Sequence, residues 1–243
     1  MTHVRRQSRP FLLDVYRRLL RSRGPAGWWP GEGPFEVCVG AILVQNTAWA
    51  NAEKALGALR RRGLLSFGRL RALAAGRLAP LIRASGTYNV KARRLSALLA
   101  FLDDFGGRPE RMASEDPWAL RKRLLSGPGV GRETADSILL YAAGLPVFVV
   151  DAYTRRVFTR LGVLRGDEAY DDIQALFMAH LPRKAALYNE YHAQIVLLAK
   201  DICRPKPFCE ACPLAGVCPR KGVADRGRMT TSSLGGATVS TGT

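Results

Sequence analysis

An all-α fold is the architecture this sequence predicts, and three observations predict it. Apolar residues recur at helical spacing along most of the chain. The helical segments are joined by short turns rich in glycine and proline. Only one run, residues 146–150 ("PVFVV"), has strand character, and five residues with no partner run make a poor sheet. Helices linked by short turns imply a bundle.

The elements follow in order. Leu12, Val15, Leu19 and Leu20 give the first helix one apolar stripe. "GPAGWWPGEGP" then breaks the chain. Residues 35–44 are apolar on almost every side, which suits a central buried helix, and Cys38 within it is most simply a core residue. "ANAEKALGALRRRG", "RLRALAAGRL", "KARRLSALLAFL" and "WALRKRLL" read as amphipathic helices, the last with Asp116 as N-cap and Pro117 in the first turn. A further helix is expected to begin near Arg132, and another in "AYTRRVFTRL". "DIQALFMAHL" and "ALYNEYHAQIVLLAKD" continue the pattern. From Gly222 onward the chain is rich in Gly, Ser and Thr and reads as a disordered tail, residues 222–243.

The chain has 243 residues, with 37 Lys and Arg against 20 Asp and Glu, a net charge of +17. That bias suits a polyanionic partner or an acidic membrane surface, although an arginine-rich surface also follows from genome composition alone. No stretch resembles an 18-residue apolar span, and the basic, amphipathic "FLLDVYRRLLRSR" is not the apolar core of a signal peptide. The expectation is a monomeric cytoplasmic protein whose partner is nucleic acid, with no membrane association.

Three features carry chemistry. In "LLSGPGVGRETADSILL", Gly129 and Gly131 flank Val130 between two helices. Such a turn brings backbone N–H groups and a helix start close to a phosphate, with Val130 packing back between the helices; an ordinary αα-hairpin fits the same spacing. Asp151 stands between an apolar run and a helix. It reads as an N-cap, and a capping carboxylate held rigid there also suits stabilising an oxocarbenium-like sugar or activating a water. Cys203, Cys209, Cys212 and Cys218 fall in sixteen residues as C-x5-C-x2-C-x5-C. Four thiols so close argue for metal over disulfides; zinc and a [4Fe–4S] cluster both take four thiolates, and one compact loop favours the cluster. Arg204, Lys206, Arg220 and Lys221 around this loop suit phosphate contacts or a plain solvated face.

Taken together, "FEVCVGAILVQNT", "ASGTYNVKARRL", "GPGVGRETAD", "FVVDAYTRRV" and the cysteine loop resemble, in the same order, the helix-hairpin-helix DNA glycosylases of the endonuclease III superfamily. The resemblance covers roughly residues 28–220. It implies two helical domains: a six-helix barrel carrying the helix-hairpin-helix, residues 35–145, and an iron–sulfur cluster domain, residues 1–34 and 146–221. Double-stranded DNA with a flipped, damaged base would lie in the cleft between them. Asp151 matches the family's catalytic aspartate, Gly129 and Gly131 the hairpin, and Gln45 the glutamine that fills the space of the extruded nucleotide. Thr87 stands where a bulkier apolar wedge is often found. The first cysteine gap is one residue shorter than in the commonest pattern.

Glu133 is the informative departure. Bifunctional relatives carry there a lysine that forms a Schiff base with the sugar, and a carboxylate forms no imine. The resemblance therefore implies a monofunctional glycosylase, closest to the 3-methyladenine branch through "WWP", "QNTAW" and "SGTYN". Trp28, Trp29 or Trp49 would stack on a cationic alkylated purine, and Glu133 would favour such a base. Hinge or core packing is the plain alternative for each tryptophan. An endonuclease III-type glycosylase with lyase activity on oxidised pyrimidines, using an amine such as Lys91, Lys122 or Lys200, is one rival. A non-catalytic DNA-binding protein on the same scaffold is another.

Overall fold

The structure is a computed structural model that describes residues 6–27 and 31–223. Trp28 and Trp29, and the tail from residue 224 on, lie outside the described residues. Among the described residues the regular structure is helical throughout, and no helix is long and apolar enough to cross a membrane. The longer helices are α1 (Arg9–Arg23), α2 (Pro34–Leu43), α3 (Trp49–Arg61), α6 (Tyr88–Asp103), α7 (Pro117–Ser126), α9 (Ala152–Arg160), α10 (Tyr170–His180) and α11 (Ala185–Asp201). Three short ones complete the set: α4 (Phe67–Arg71), α5 (Ala75–Leu78) and α8 (Arg132–Ser137).

Two expectations need correction. The single helix read into residues 69–78 is two, α4 and α5. The chain turns extended at Ala74, so Leu70 and Leu78 enter the core from separate short helices. The run at residues 146–150 is not a strand. Its composition has another cause, because the run crosses between two apolar cores. Val147 belongs to one and Phe148, Val149 and Val150 to the other, all almost fully buried.

The first core gathers α2 through the residues following α8, around Cys38, Ile42, Leu59, Leu95 and Ile138. Helix α2 is buried at every position from Glu36 to Leu43; the apolar run from Val37 on requires it, and Glu36 is paired with Arg60 at 2.6 Å. Asp116 caps α7, accepting from the Trp118 and Ala119 backbone N–H groups at 3.1 and 2.8 Å. The second core joins α1 to α9, α10 and α11. Phe148 stacks on Phe177 at 4.2 Å, Phe158 meets Phe177 edge-on at 4.7 Å, and Tyr191 donates to the Leu12 carbonyl at 2.7 Å. The N-terminal helix therefore packs with the C-terminal half.

A buried polar joint ties the two cores. Asp136 on α8 is inaccessible to solvent. It accepts two bonds from Arg121 of α7, at 2.7 and 3.1 Å. Tyr170 and Gln174 of α10 donate to it at 2.8 and 2.7 Å. A buried carboxylate is tolerated when its lone pairs are all engaged in this way. The joint fixes α8 against α10.

Candidate active site

Gln45, Trp49, Gly129, Gly131, Glu133 and Asp151, all singled out above, line a single cavity of about 680 Å³. They come from both halves of the molecule. Asp151 is the N-cap of α9, and its Oδ1 accepts from the Thr154 backbone N–H at 2.6 Å. The carboxylate that caps the helix therefore also lines the cavity. Its Oδ2 lies 3.5 Å from His192 Nε2. Burial alone raises the Asp151 carboxyl, but the His192 charge, contact with that ring and the Thr154 N–H outweigh it and hold the group below its ordinary value.

Glu133 behaves in the opposite way. Loss of bulk water and, after it, the Asp151 charge push its carboxyl up to about 7, with His192 partly opposing. Its surface is exposed by area. The two facts agree because the water it meets is confined to the cavity, with protein on the remaining sides. Two carboxylates of one cavity are thus held in different states near neutral pH, the arrangement acid–base chemistry requires.

Gln45 is clamped. Its Nε2 donates to the Gly129 carbonyl and to Thr134 Oγ1, each at 3.0 Å, and its Oε1 accepts from Arg94 at 2.6 Å. Gly129 has φ +75°, and a Cβ there would fall 2.1 Å from Arg94 Nε. Both backbone conformation and the arginine crossing the turn demand glycine. Val130 packs on the first core, as its place between two helices implied. Trp49 packs partly against that core and also lines the cavity.

Thr87 lies outside the cavity lining. It is exposed at the N-cap of α6 with φ 23° and ψ 39°, a left-handed conformation that costs a threonine on the order of 1–2 kcal/mol. Arg204 and Lys206 are exposed on the cysteine loop, where Arg204 stacks over Phe208 at 4.5 Å.

Cys203, Cys209, Cys212 and Cys218 line one small apolar cavity with Arg160 and Arg220. Arg160 Nη1 donates to Cys203 Sγ at 3.3 Å and the Arg220 N–H to Cys218 Sγ at 3.4 Å. Among the described residues no group of three or more His, Cys, Asp or Glu side chains forms a set that could hold a metal ion. The donor set is nonetheless suited to a thiolate-bound group, with four sulfurs around one space and cations beside them. Helix α9 links this loop to the larger cavity. Asp151 caps one end, while Arg156 and Arg160 further along donate to the carbonyls of Ala199, Cys203, Arg204 and Pro205.

Sequence reasoning missed His192 and Tyr141. His192 lies in a run whose pattern says only helix, and nothing in the spacing singles out Tyr141. Tyr141 rides on a widened helical turn at Ile138–Ala142, and turns of this kind recur at functional sites. The three lysines, alike in sequence, now differ. Lys91 is buried, its Nζ donating to the carbonyls of Leu43 and Ser85 at 2.8 and 2.6 Å. Lys122 is exposed on α7 outside the cavity lining. Lys200 lines the cavity.

Comparison with known proteins identifies the family. Residues 39–183 match the HhH-GPD superfamily of base excision DNA repair proteins. A Methanocaldococcus jannaschii protein described as a candidate DNA repair glycosylase is 46% identical over 197 residues, 80% of this chain and 90% of its own length. The crystal structure of the Helicobacter pylori 3-methyladenine DNA glycosylase MagIII bound to 1,N6-ethenoadenine is 30% identical, with a TM-score of 0.67 over 78% of this chain and 97% of that one. A non-covalent endonuclease III–DNA complex is 25% identical, with a TM-score of 0.71 over 90% and 96% of the two chains. The chain belongs to the HhH-GPD superfamily and is a base excision DNA glycosylase.

Proposed function

We propose that this glycosylase binds double-stranded DNA, flips a damaged base, an alkylated purine such as 3-methyladenine, into the cavity between Trp49 and Asp151, and hydrolyses its N-glycosidic bond without lyase chemistry. The observation that carries the reading is the pairing of Asp151, held as an anion by a helix cap and His192, with Glu133 in place of an amine. As the glycosidic bond lengthens, the sugar gains positive charge, which the fixed Asp151 carboxylate stabilises. The same carboxylate accepts a proton from the attacking water. Trp49 offers a ring face to a cationic purine, a contact of roughly 0.5–2 kcal/mol. Gln45 stands at the mouth to fill the vacated stack, and the Gly129–Gly131 turn grips a phosphate and sets register. The strained Thr87 turn enters the duplex beside Gln45, in keeping with the way sites store backbone strain.

On this reading the barrel occupies residues 35–145 and the second domain residues 1–34 and 146–221. The four cysteines hold a [4Fe–4S] cluster, which supplies structural support: it keeps the loop bearing Arg204 and Lys206 folded for phosphate contact. The likeness to the 3-methyladenine DNA glycosylase MagIII, bound to 1,N6-ethenoadenine, supports the lesion class.

A panel of single-lesion duplexes, assayed with and without alkali, tests the function. Free alkylated purine from an abasic strand that breaks only in alkali is the expected result. Release of oxidised pyrimidine with direct strand scission would replace it. One observation favours that second reading: Lys200 lines the cavity. Borohydride during turnover should trap no covalent complex, because a reactive amine must sit at attack distance of the sugar carbon. Efficient trapping that disappears in Lys200→Ala would make the enzyme a glycosylase–lyase.

Glu133 gives a pH prediction with a definite sign. Its carboxyl, raised to about 7, is neutral below that pH and negative above it. A negative Glu133 attracts a cationic purine. Single-turnover excision of a cationic lesion should therefore rise with pH through about 7, and Glu133→Gln should flatten that rise. A neutral lesion should show no such step; the same step for both lesions would remove the electrostatic role.

A further inference from the structure

The side chain facing Asp151 from across the cavity is His192, on α11. It is 7% exposed, and its Nδ1 meets the Tyr141 hydroxyl at 2.5 Å. Its Nε2 is buried and makes no hydrogen bond of good geometry, lying 3.5 Å from Asp151 Oδ2, within ion-pair distance. A buried ring nitrogen without a hydrogen bond is costly unless a partner closes on it. Catalytic contacts that are long in the free enzyme commonly tighten when substrate enters.

We propose that His192, oriented by Tyr141, is a positioning residue for Asp151, presenting an Nε2–H that keeps the carboxylate ionised and aimed at the sugar. The inference rests on the reading of Asp151 as the catalytic carboxylate.

Two protonation states satisfy every contact. When the Tyr141 hydroxyl donates to Nδ1, the neutral ring carries its proton on Nε2, toward Asp151. When Nδ1–H donates to the Tyr141 oxygen, the ring is an imidazolium and Nε2 again carries a proton. The remaining tautomer would aim a lone pair at a carboxylate and is disfavoured. Burial and the nearby Asp151 and Glu133 charges raise the Tyr141 hydroxyl well above its ordinary value, so it stays protonated and able to hold the ring. Tyr141 comes from the widened turn after α8 and His192 from α11. The contact therefore draws both cores onto one carboxylate. The Thr154 N–H holds Oδ1 and His192 stands 3.5 Å from Oδ2, so each oxygen of Asp151 faces a partner. The titratable and charged groups facing Asp151 are His192 from α11, Glu133 from α8 and Tyr141 from the widened turn. Lys200 lines the same cavity.

The test follows the Asp151 carboxyl directly in the full-length protein without DNA. Carboxyl-labelled aspartate is titrated by carbon NMR, the signal being assigned by its loss in Asp151→Asn. In His192→Leu the Asp151 titration should move up by at least about one pH unit, as expected when a favourable partner is removed. His192→Gln, which keeps an N–H at the same end, should restore most of the shift. Tyr141→Phe should give an intermediate value, and it serves as the decisive variant if His192→Leu does not fold. In single-turnover excision the acid limb of the pH profile should move by the same amount, with duplex affinity unchanged. An Asp151 titration unmoved in His192→Leu or Tyr141→Phe overturns the proposal. So does a rate loss equal at all pH values and no smaller in the Gln variant. If no lesion is excised by the unmutated protein, the functional reading falls, and the NMR titration still decides the role of His192.

Discussion

Asp151→Asn should lower single-turnover base excision by about 10³-fold, inside the 10²–10⁴ range that a positioned acid–base group supplies, while leaving affinity for lesion duplex within about twofold, a difference of well under 1 kcal/mol. The substitution keeps size and the Thr154 contact, since the Asn oxygen still accepts from the backbone N–H that Asp151 now engages. Only the charge is lost. That charge opposes the sugar cation and accepts the water's proton, so the transition state suffers and the ground state does not. Gel-shift affinity measured beside rate separates the two. A merely twofold loss of rate, or a loss of binding in step with rate, would leave Asp151 as a helix cap and nothing more.

The second large effect is expected at the cysteine loop. Purified protein should be yellow-brown and carry iron and acid-labile sulfide in equal amounts, about four of each per chain. Colourless protein with one zinc would defeat the cluster assignment. Cys212→Ala should abolish the colour and cut both duplex affinity and excision by at least about 10–100-fold, the range found when even outer partners of a metal site are removed. The route runs through α9. Arg156 and Arg160 are anchored on carbonyls of the loop and the end of α11, and Asp151 caps the same helix. A loop that unravels frees those arginines and the exposed Arg204 and Lys206. Full activity in a metal-free Cys212→Ala protein would show that the loop needs no cluster.

Much of this was legible in the sequence because it depends on local pattern. The buried helix at residues 35–44, the Asp116–Pro117 cap and the Asp151 cap follow from residue types and spacing. The glycine turn was legible in kind. Its reason was not: Gly129 is required by Arg94, a residue thirty-five positions away that crosses the turn. The break between α4 and α5 escaped because residues 69–78 hold good helix formers, and tertiary packing overrode that propensity. His192 escaped because a histidine among apolar residues carries no sign of what faces it. Lys91 and Lys200 carry the same functional group. Only the fold buries one on two carbonyls and sets the other at the cavity.

The apolar run at residues 147–150 bears on how such a molecule can be rearranged. Its four side chains are divided between two cores, so no cut near it leaves both halves closed. A fragment ending before Val147 would lack a core residue and expose the sides of Leu140 and Tyr141 that pack on the other half. A fragment beginning after Val150 would lose the Phe148 ring from its aromatic stack. The two halves are therefore not interchangeable modules. Shuffling one against a foreign partner would require a graft point elsewhere.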